Sequence, residues 1–302
     1  MNFNSARCFA AAMPLCLFLS GCLFNKTYEA RLTSEPSIER AFDILTRTPE
    51  GKPLVSFLLK NPVKFEYSNT PGFCHKFSLK TGMIYLPKEY KASDTLLTLT
   101  LARAAYIYRL YAMSGLQEVI SEEEELAALF QARVELEIGL ANRDSERKLF
   151  AGKMQSDLLC TYIMEGSRSA ALAARNTALS SQPECQRPLE TLQTQRVWLE
   201  KIKESINGES FFQLLYDRDL EKVRKGVMTI NAAMKNDAIV RAMPTYEIYR
   251  YQRTFYDNQS DIFTRMEKLY LAALKDDEIW RSANQPIIDR AREELSTCNL
   301  PE

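Results

Sequence analysis

The residues that could do chemistry in this chain are few, and the only histidine, His75, stands next to Cys74. A thiol beside an imidazole can act as a nucleophile, because the imidazole accepts the proton that the thiol must lose. Adjacent residues of a β-strand point to opposite faces, however, and the surrounding sequence predicts a strand. We therefore expect a surface histidine rather than a nucleophile pair. A single histidine also excludes a metal site built from two or three imidazoles.

An acidic run from Ser121 to Glu125 could hold a metal ion or form an acidic docking patch. Its order favours a structural role, because Ser121 is a good helix N-cap and Glu124 is spaced to complete a capping box. Acidic side chains in a first turn also interact favourably with the helix dipole. The nearby Glu135 and Glu137 lie on different faces of the helix. The sequence predicts no catalytic residue, no metal site and no cofactor.

A stretch rich in tyrosine and arginine, residues 246–256, is the candidate for a partner surface. One helical face holds Tyr246, Tyr249, Arg253 and Tyr256, and another holds Ile248, Tyr251 and Phe255. Tyrosine and arginine are enriched in binding hot spots, so the first face could contact an envelope protein or a glycan. The alternative is that one face packs in the core while tyrosine and arginine side chains stack outside it.

The beginning of the chain carries the pattern with the most specific chemistry. Arg7 precedes an apolar stretch over residues 8–19, which is shorter than the about 20 apolar residues that cross a bilayer. The stretch ends in Leu19-Ser20-Gly21-Cys22. This ending resembles the lipobox of bacterial lipoproteins, in which a diacylglycerol is attached to the cysteine sulfur and the peptide is cut before it. The resemblance implies a signal peptide over residues 1–21 and Cys22 as the lipidated first residue of the mature chain. The alternatives are an ordinary cysteine in a signal peptide cut elsewhere, or one in a helical anchor.

Lipidation of Cys22 would place the chain in the bacterial cell envelope, anchored to a membrane. Leu23 follows the cysteine, where an aspartate would favour the inner membrane in the enterobacterial pattern of this family. Its absence favours the outer membrane, with the chain facing the periplasm. The whole chain has 39 basic and 39 acidic residues, and removing residues 1–21 takes away only Arg7. This neutrality argues against a nucleic-acid partner and against anchoring through a basic patch, so the lipid would do the anchoring.

Four cysteines remain outside the signal peptide and the lipidation site, namely Cys74, Cys160, Cys185 and Cys298. An even number in an exported chain favours two disulfides, for which three pairings exist. The pattern of residues 145–180 predicts one helix, whose end would lie about 30 Å from Cys160 and so disfavour a Cys160–Cys185 bond. We favour Cys185–Cys298 with Cys74–Cys160, and four buried free thiols are the alternative.

The remaining pattern predicts a mainly α fold, an irregular multi-helix domain with a small antiparallel β-hairpin or sheet near residues 63–87. A tether over residues 22–36 precedes this helical domain, which covers 37–302 with a possible sub-boundary near 142–150. Short helices are predicted from Pro36 and over 54–59, and the low count of ten glycines agrees with a helical chain. Further helices are predicted at 93–115, 121–141, 145–180, 187–207, 209–236, 245–274 and 284–297, with glycine or proline at their ends.

The elements predicted over residues 77–140 follow a definite order. A strand precedes the helix that contains residues 100–108, and the next helix begins near Glu124. This layout resembles the gluzincins, in which an edge strand is followed by a helix with His-Glu-x-x-His and a helix with a glutamate ligand. At the positions of the first His, the Glu and the second His, this chain has Arg103, Ala104 and Ile107. Only Glu124 or Glu125 could match a ligand, so the resemblance implies a relative that has lost zinc and kept the fold for binding.

Together these patterns favour a lipid-anchored protein of the cell envelope with a non-catalytic structural or interaction role. One alternative is a pseudo-peptidase binding module derived from the metallopeptidase fold. Another is an envelope enzyme whose site has no recognisable motif, for which two carboxylates about 5–9 Å apart in a deep cleft would be the sign.

Overall fold

The computed structural model describes residues 32–68, 76–78, 82–115, 120–139, 153–180, 191–207 and 244–294, with scattered positions between 213 and 226. These parts are mainly α-helical with one small sheet, which confirms the fold class predicted from the sequence. The predicted signal peptide, most of the tether and the predicted sub-boundary near 142–150 lie outside the described residues. None of the described helices combines the length and apolar composition needed to cross a bilayer.

Contacts divide the chain into two units. Unit 1 comprises Met1–Arg109, Glu124–Arg187 and Asp276–Glu302, and unit 2 comprises Leu110–Glu123 and Pro188–Lys275.

Unit 1 begins with two short helices, α1 (Pro36–Arg47) and α2 (Gly51–Lys60). The apolar residues of α1 recur at helical spacing and are buried along one face: Ile38, Ala41, Phe42 and Leu45. The turn between the helices is closed by the Gly51 N–H, which donates a 2.9 Å hydrogen bond to the Thr48 hydroxyl. A Cβ at Gly51 would collide with the Leu45 carbonyl oxygen, so only glycine fits this close approach of the two helices.

The sheet of unit 1 has three strands: β1 (Lys64–Tyr67), β2 (Lys76–Ser78) and β3 (Met83–Leu86), in the order β1-β3-β2. β2 pairs with β3 antiparallel, as predicted, but β1 pairs with β3 parallel, with Phe65 opposite Ile84. The prediction of an antiparallel sheet is therefore wrong for β1. The prediction was made from the alternation of apolar residues. This alternation determines which face of a strand is buried, but it does not determine the direction of the neighbouring strand.

Two long helices follow the sheet after a 3₁₀ turn (Lys88–Ala92): α3 (Asp94–Ser114) and α4 (Ser121–Ile138). Between Ser121 and Leu136 every residue of α4 except Glu124 is buried. A tyrosine of α3, Tyr106, stacks on Phe130 of α4 with ring centroids 4.5 Å apart. From Glu125 onward, α4 therefore lies in the core of unit 1.

The start of α4 is capped by a glutamate, but one residue earlier than predicted. The Glu123 carboxylate accepts a 3.3 Å hydrogen bond from the Ile120 N–H. This is the glutamate half of a capping box, and the other half is missing because isoleucine has no side-chain acceptor. The Glu122 carboxylate accepts hydrogen bonds from the Ser121 hydroxyl at 3.0 Å and from the Leu192 N–H at 3.1 Å. The acidic run therefore serves structural contacts, and Glu124 is left for a different partner.

The segment predicted as one helix over 145–180 contains two, α5 (Lys153–Met164) and α6 (Ser167–Ser180). Gly166 separates them with a φ of 99°, a left-handed conformation that favours glycine and ends α5. The single-helix prediction is therefore wrong. Its failure removes the distance argument against a Cys160–Cys185 bond, because the chain can turn at Gly166.

Three further helices have described bounds: α7 (Leu192–Asn207), α8 (Pro244–Ala283) and α9 (Gln285–Glu294). α8 extends nine residues beyond its predicted end at 274, and its residues from Asp276 onward belong to unit 1. In unit 1, α9 packs on α5, and the Arg292 guanidinium donates a 3.1 Å hydrogen bond to the Ile163 carbonyl oxygen.

Candidate functional site

The positions that carry the metallopeptidase resemblance meet in unit 1. The Arg103 guanidinium donates two hydrogen bonds to one Glu124 carboxylate oxygen, from Nη2 at 2.8 Å and from Nε at 3.2 Å. The residues at the positions of the first histidine and the glutamate ligand are thus joined as a half-buried ion pair. Ala104 and Ile107 are buried and apolar. Within the described part of the chain, no three histidine, cysteine or carboxylate side chains are placed so that they could hold a metal ion.

A second cluster of charged groups is buried in unit 1 around Asp277 of α8. Asp277 is 1% exposed. Its carboxylate accepts a 3.1 Å hydrogen bond from the Tyr162 hydroxyl and another from the Ser167 hydroxyl. The Nε atom of Arg133 lies 3.5 Å from the same carboxylate. Residues from α4, α5, α6 and α8 therefore converge on one carboxylate.

Arg133 extends this cluster, because its guanidinium also pairs with Glu50 at 3.0 Å and with Asp276 at 3.1 Å. The Glu50 N–H donates a 3.0 Å hydrogen bond to the Glu137 carboxylate. The Arg281 guanidinium lies over the Tyr162 ring, 4.5 Å from its centroid, and donates to the Tyr162 carbonyl oxygen. We call these eight residues the Arg133 cluster: Glu50, Arg133, Glu137, Tyr162, Ser167, Asp276, Asp277 and Arg281.

Burial is the largest cause of the pKa shifts of three carboxyl groups and one phenol in the Arg133 cluster. It raises the pKa of Asp277, and the hydrogen bonds from Ser167 and Tyr162 oppose that rise only in part. It also raises the pKa of Glu50 and the pKa of Glu137. The pKa of the Tyr162 phenol is raised for the same reason, which keeps it protonated as a donor. The cluster thus holds four carboxyl groups against two guanidinium groups.

The polar groups of the cluster are bonded mainly to one another, and these bonds join several helices of unit 1. Its carboxylates are directed at Arg133, at hydroxyl groups and at a backbone N–H of the same unit. The cavity beside it measures about 280 Å³ and is lined by Glu165, Ser167, Arg168, Glu278 and Arg281. The two acids and two arginines of that lining balance each other, so the cavity favours neither an anion nor a cation.

Unit 2 exposes the third feature, a group of aromatic rings on α7 and α8. Trp198 meets Phe255 edge to face with centroids 5.5 Å apart, and Tyr251 stacks on Phe255 at 6.3 Å. Tyr251 is 72% exposed and Trp198 44%. Ile248 lies one helical turn before Tyr251 and is 57% exposed. We call Trp198, Ile248, Tyr251 and Phe255 the aromatic patch.

The face that the sequence analysis selected is a different one. Tyr249 is 2% exposed, and its ring lies edge to face with the Tyr216 ring at a centroid distance of 6.4 Å. Tyr249 therefore does not form part of an accessible surface. Arg253 pairs with Asp257 at 3.2 Å and lies over the Tyr256 ring. The side chain of Tyr246 lies outside the described residues. The exposed face is instead that of Ile248, Tyr251 and Phe255.

A signal for this choice was present in the sequence. Phe263 and Met266 are buried further along α8. Steps of seven residues back from Phe263 reach Tyr256 and Tyr249, which places both on the inward side. The prediction was limited to residues 246–256, where the aromatic side chains occur on both faces, so this periodicity was not used.

Of the cysteines with predicted roles, only Cys160 lies within the described residues, where it is buried in α5. Cys22, Cys74, Cys185 and Cys298 lie outside the described residues, as does His75. The pairing of the four cysteines therefore stays a prediction, and so does the lipidation of Cys22.

Comparison with models of protein families, with curated proteins and with solved structures finds no match to this chain. The lipobox and metallopeptidase resemblances therefore depend on the quoted residues alone.

Proposed function

We propose that this chain is a lipid-anchored protein of the bacterial cell envelope with a non-catalytic interaction role. The observation that carries the proposal is the motif Leu19-Ser20-Gly21-Cys22 directly after a charged residue and a short apolar stretch. Small residues before a cysteine at that place are what lipoprotein processing needs. By that reasoning Cys22 carries the lipid and the folded chain faces the periplasm from the outer membrane.

The aromatic patch supports the interaction role. Large rings exposed together in one patch mark contact sites, because water is a poor environment for them. Tryptophan and tyrosine also supply large, rigid contact areas and are enriched where binding energy is concentrated. The Arg133 cluster, by contrast, directs its polar groups at one another. The patch is therefore the surface through which we propose that the chain makes its contacts.

One observation favours the pseudo-peptidase alternative. The Arg103 guanidinium is bonded to Glu124 at 2.8 Å, at two positions that would hold the first imidazole and the glutamate of a zinc site. A guanidinium there supplies the positive charge that a metal ion would otherwise bring to the glutamate. In this alternative the ion pair preserves a former metal centre as a structural contact, and the chain still acts by binding.

Metabolic labelling with a palmitate analogue tests the lipid anchor. Label is expected on the wild-type chain and on Cys16→Ala, which alters another cysteine of the predicted signal peptide. No label is expected on Cys22→Ala, because the acyl chains would have no attachment site. Label retained on Cys22→Ala would contradict the proposal.

A further inference from the structure

We infer that the aromatic patch of unit 2 rests on the surface of the lipid bilayer and is a second membrane contact besides the lipid at Cys22. This inference rests on the proposed lipid anchor. It assigns to the patch a partner of defined chemistry, the boundary between lipid headgroups and acyl chains.

The composition of the patch fits that boundary. Tryptophan and tyrosine have an apolar ring and one polar group, and they concentrate where one side is apolar and the other wet. Phe255 and Ile248 add purely apolar surface, which an interfacial contact buries about 5–10 Å into the headgroup region. A saccharide site would instead need hydrogen-bonding groups between the rings, and Ile248 has none.

The chain itself brings a bilayer near. Nine residues separate Cys22 from Leu32, the first described residue, so an extended chain keeps the membrane within about 35 Å of Leu32. A surface held close by a tether is met at high effective concentration, so even a weak apolar contact is occupied.

Charge is consistent with an apolar contact. Without Arg7, the lipidated chain would have one more acidic than basic residue, so its net charge gives no attraction for anionic headgroups. Binding through the patch should therefore be insensitive to added salt, unlike binding through a basic surface.

The two tryptophans of the chain make the inference measurable, because Trp280 is buried in unit 1 while Trp198 lies in the patch. The full chain, lipidated in a bacterial host, would be placed in vesicles of phosphatidylethanolamine and phosphatidylglycerol. Bromine on the acyl chains quenches indole emission on contact. We expect wild-type emission to fall in brominated vesicles relative to plain ones, and we expect no such fall for Trp198→Phe. The fall should persist at high salt.

Two exposed residues of α8 provide a matched pair, because Ile248 and Leu271 are exposed to similar extents and only Ile248 belongs to the patch. Ile248→Ser should weaken the quenching and Leu271→Ser should leave it unchanged. Equal emission of the wild-type chain in both kinds of vesicle would overturn the inference, as would equal effects of the two serine variants.

The palmitate label, measured on the same samples, separates the two proposals. A labelled chain without bromine quenching would overturn the membrane contact and leave the lipid anchor in place. An unlabelled chain would overturn both. A cross-link from residue 251 to another protein, without quenching, would show that a protein occupies the patch and would likewise overturn the inference.

Discussion

Unit 1 buries charged residues, whereas unit 2 exposes aromatic ones. In unit 1 the carboxylates of Glu50 and Asp277 are withdrawn from solvent around Arg133. In unit 2 the rings of Trp198 and Tyr251 face the solvent. Charged groups are expected outside and rings inside, so each unit departs from the ordinary arrangement in its own way.

We relate the buried charges of unit 1 to stability and the exposed rings of unit 2 to binding. Burying a charged group lowers the unfolding free energy unless an opposite charge pairs with it. The Arg133 cluster supplies such pairs within unit 1. Exposed rings add little to the stability of the fold, because they are not removed from water. Their proposed role is therefore to contact a partner. We therefore assign the buried charged residues of unit 1 to stability, and we propose the exposed aromatic residues of unit 2 as the contact surface.

The largest effect is expected where a buried charge loses its partner. Arg133→Ala removes the guanidinium that faces Glu50 and Asp277, and leaving buried charges unpaired should lower the unfolding free energy by about 3–5 kcal/mol. Arg168→Ala, at an exposed arginine of unit 1 with a 3.9 Å ion pair, should cost less than about 0.5 kcal/mol. Urea unfolding followed by circular dichroism measures both variants. Equal losses would show that the cluster is not a special source of stability.

A smaller effect distinguishes the two sides of α8 in unit 2. Tyr249→Ala removes a buried ring and should cost about 3 kcal/mol, because it leaves a cavity. Tyr251→Ala removes an exposed ring two residues away and should change the unfolding free energy by less than about 0.5 kcal/mol. The same urea titration compares them. If Tyr251→Ala is as destabilising as Tyr249→Ala, the patch is part of the core and is not a contact surface.

The smallest effect concerns pH and belongs to unit 1 alone. Burial raises the pKa of Asp277, of Glu50 and of Glu137 above their unfolded values. Near those pKa values the folded chain therefore binds more protons than the unfolded chain. Proton binding by these three groups stabilises the folded chain at low pH, and this contribution to the unfolding free energy is lost as the pH rises through the raised pKa values. These groups should make the unfolding free energy greater near pH 5 than near pH 8. Urea titrations at several pH values measure it, and Asp277→Asn should reduce the difference.

An unfolding free energy that falls between pH 8 and pH 5 in the wild-type chain, with no change in slope for Asp277→Asn, would contradict this assignment. It would mean that the arginines and hydroxyl groups outweigh burial at these carboxyls.

Local patterns in the sequence predicted helices and the position of the sheet, because these depend on apolar spacing and on glycine or proline at the ends of the elements. They missed the break at Gly166, where a glycine followed by a serine marks the end of one helix and the start of another. They also missed the direction of β1, because strand alternation is the same for parallel and antiparallel partners.

The sites were harder to predict than the elements. Arg133 and Asp276 are 143 positions apart in the chain, and nothing local in either segment indicates that they pair. The two faces of residues 246–256 differ in burial because of what packs against α8, so composition alone did not show that Tyr249 is buried. The choice could have been improved by extending the periodicity to Phe263.

The lipid anchor at Cys22 is the central claim, and mass analysis of the mature amino terminus tests it most directly. The chain would be purified from the membrane fraction of a lipoprotein-processing host, digested and examined for its first peptide. We predict a peptide that begins at Cys22 and carries the mass of a diacylglycerol on that residue. A first peptide that begins at another residue, or that includes residues 1–21, would contradict the account.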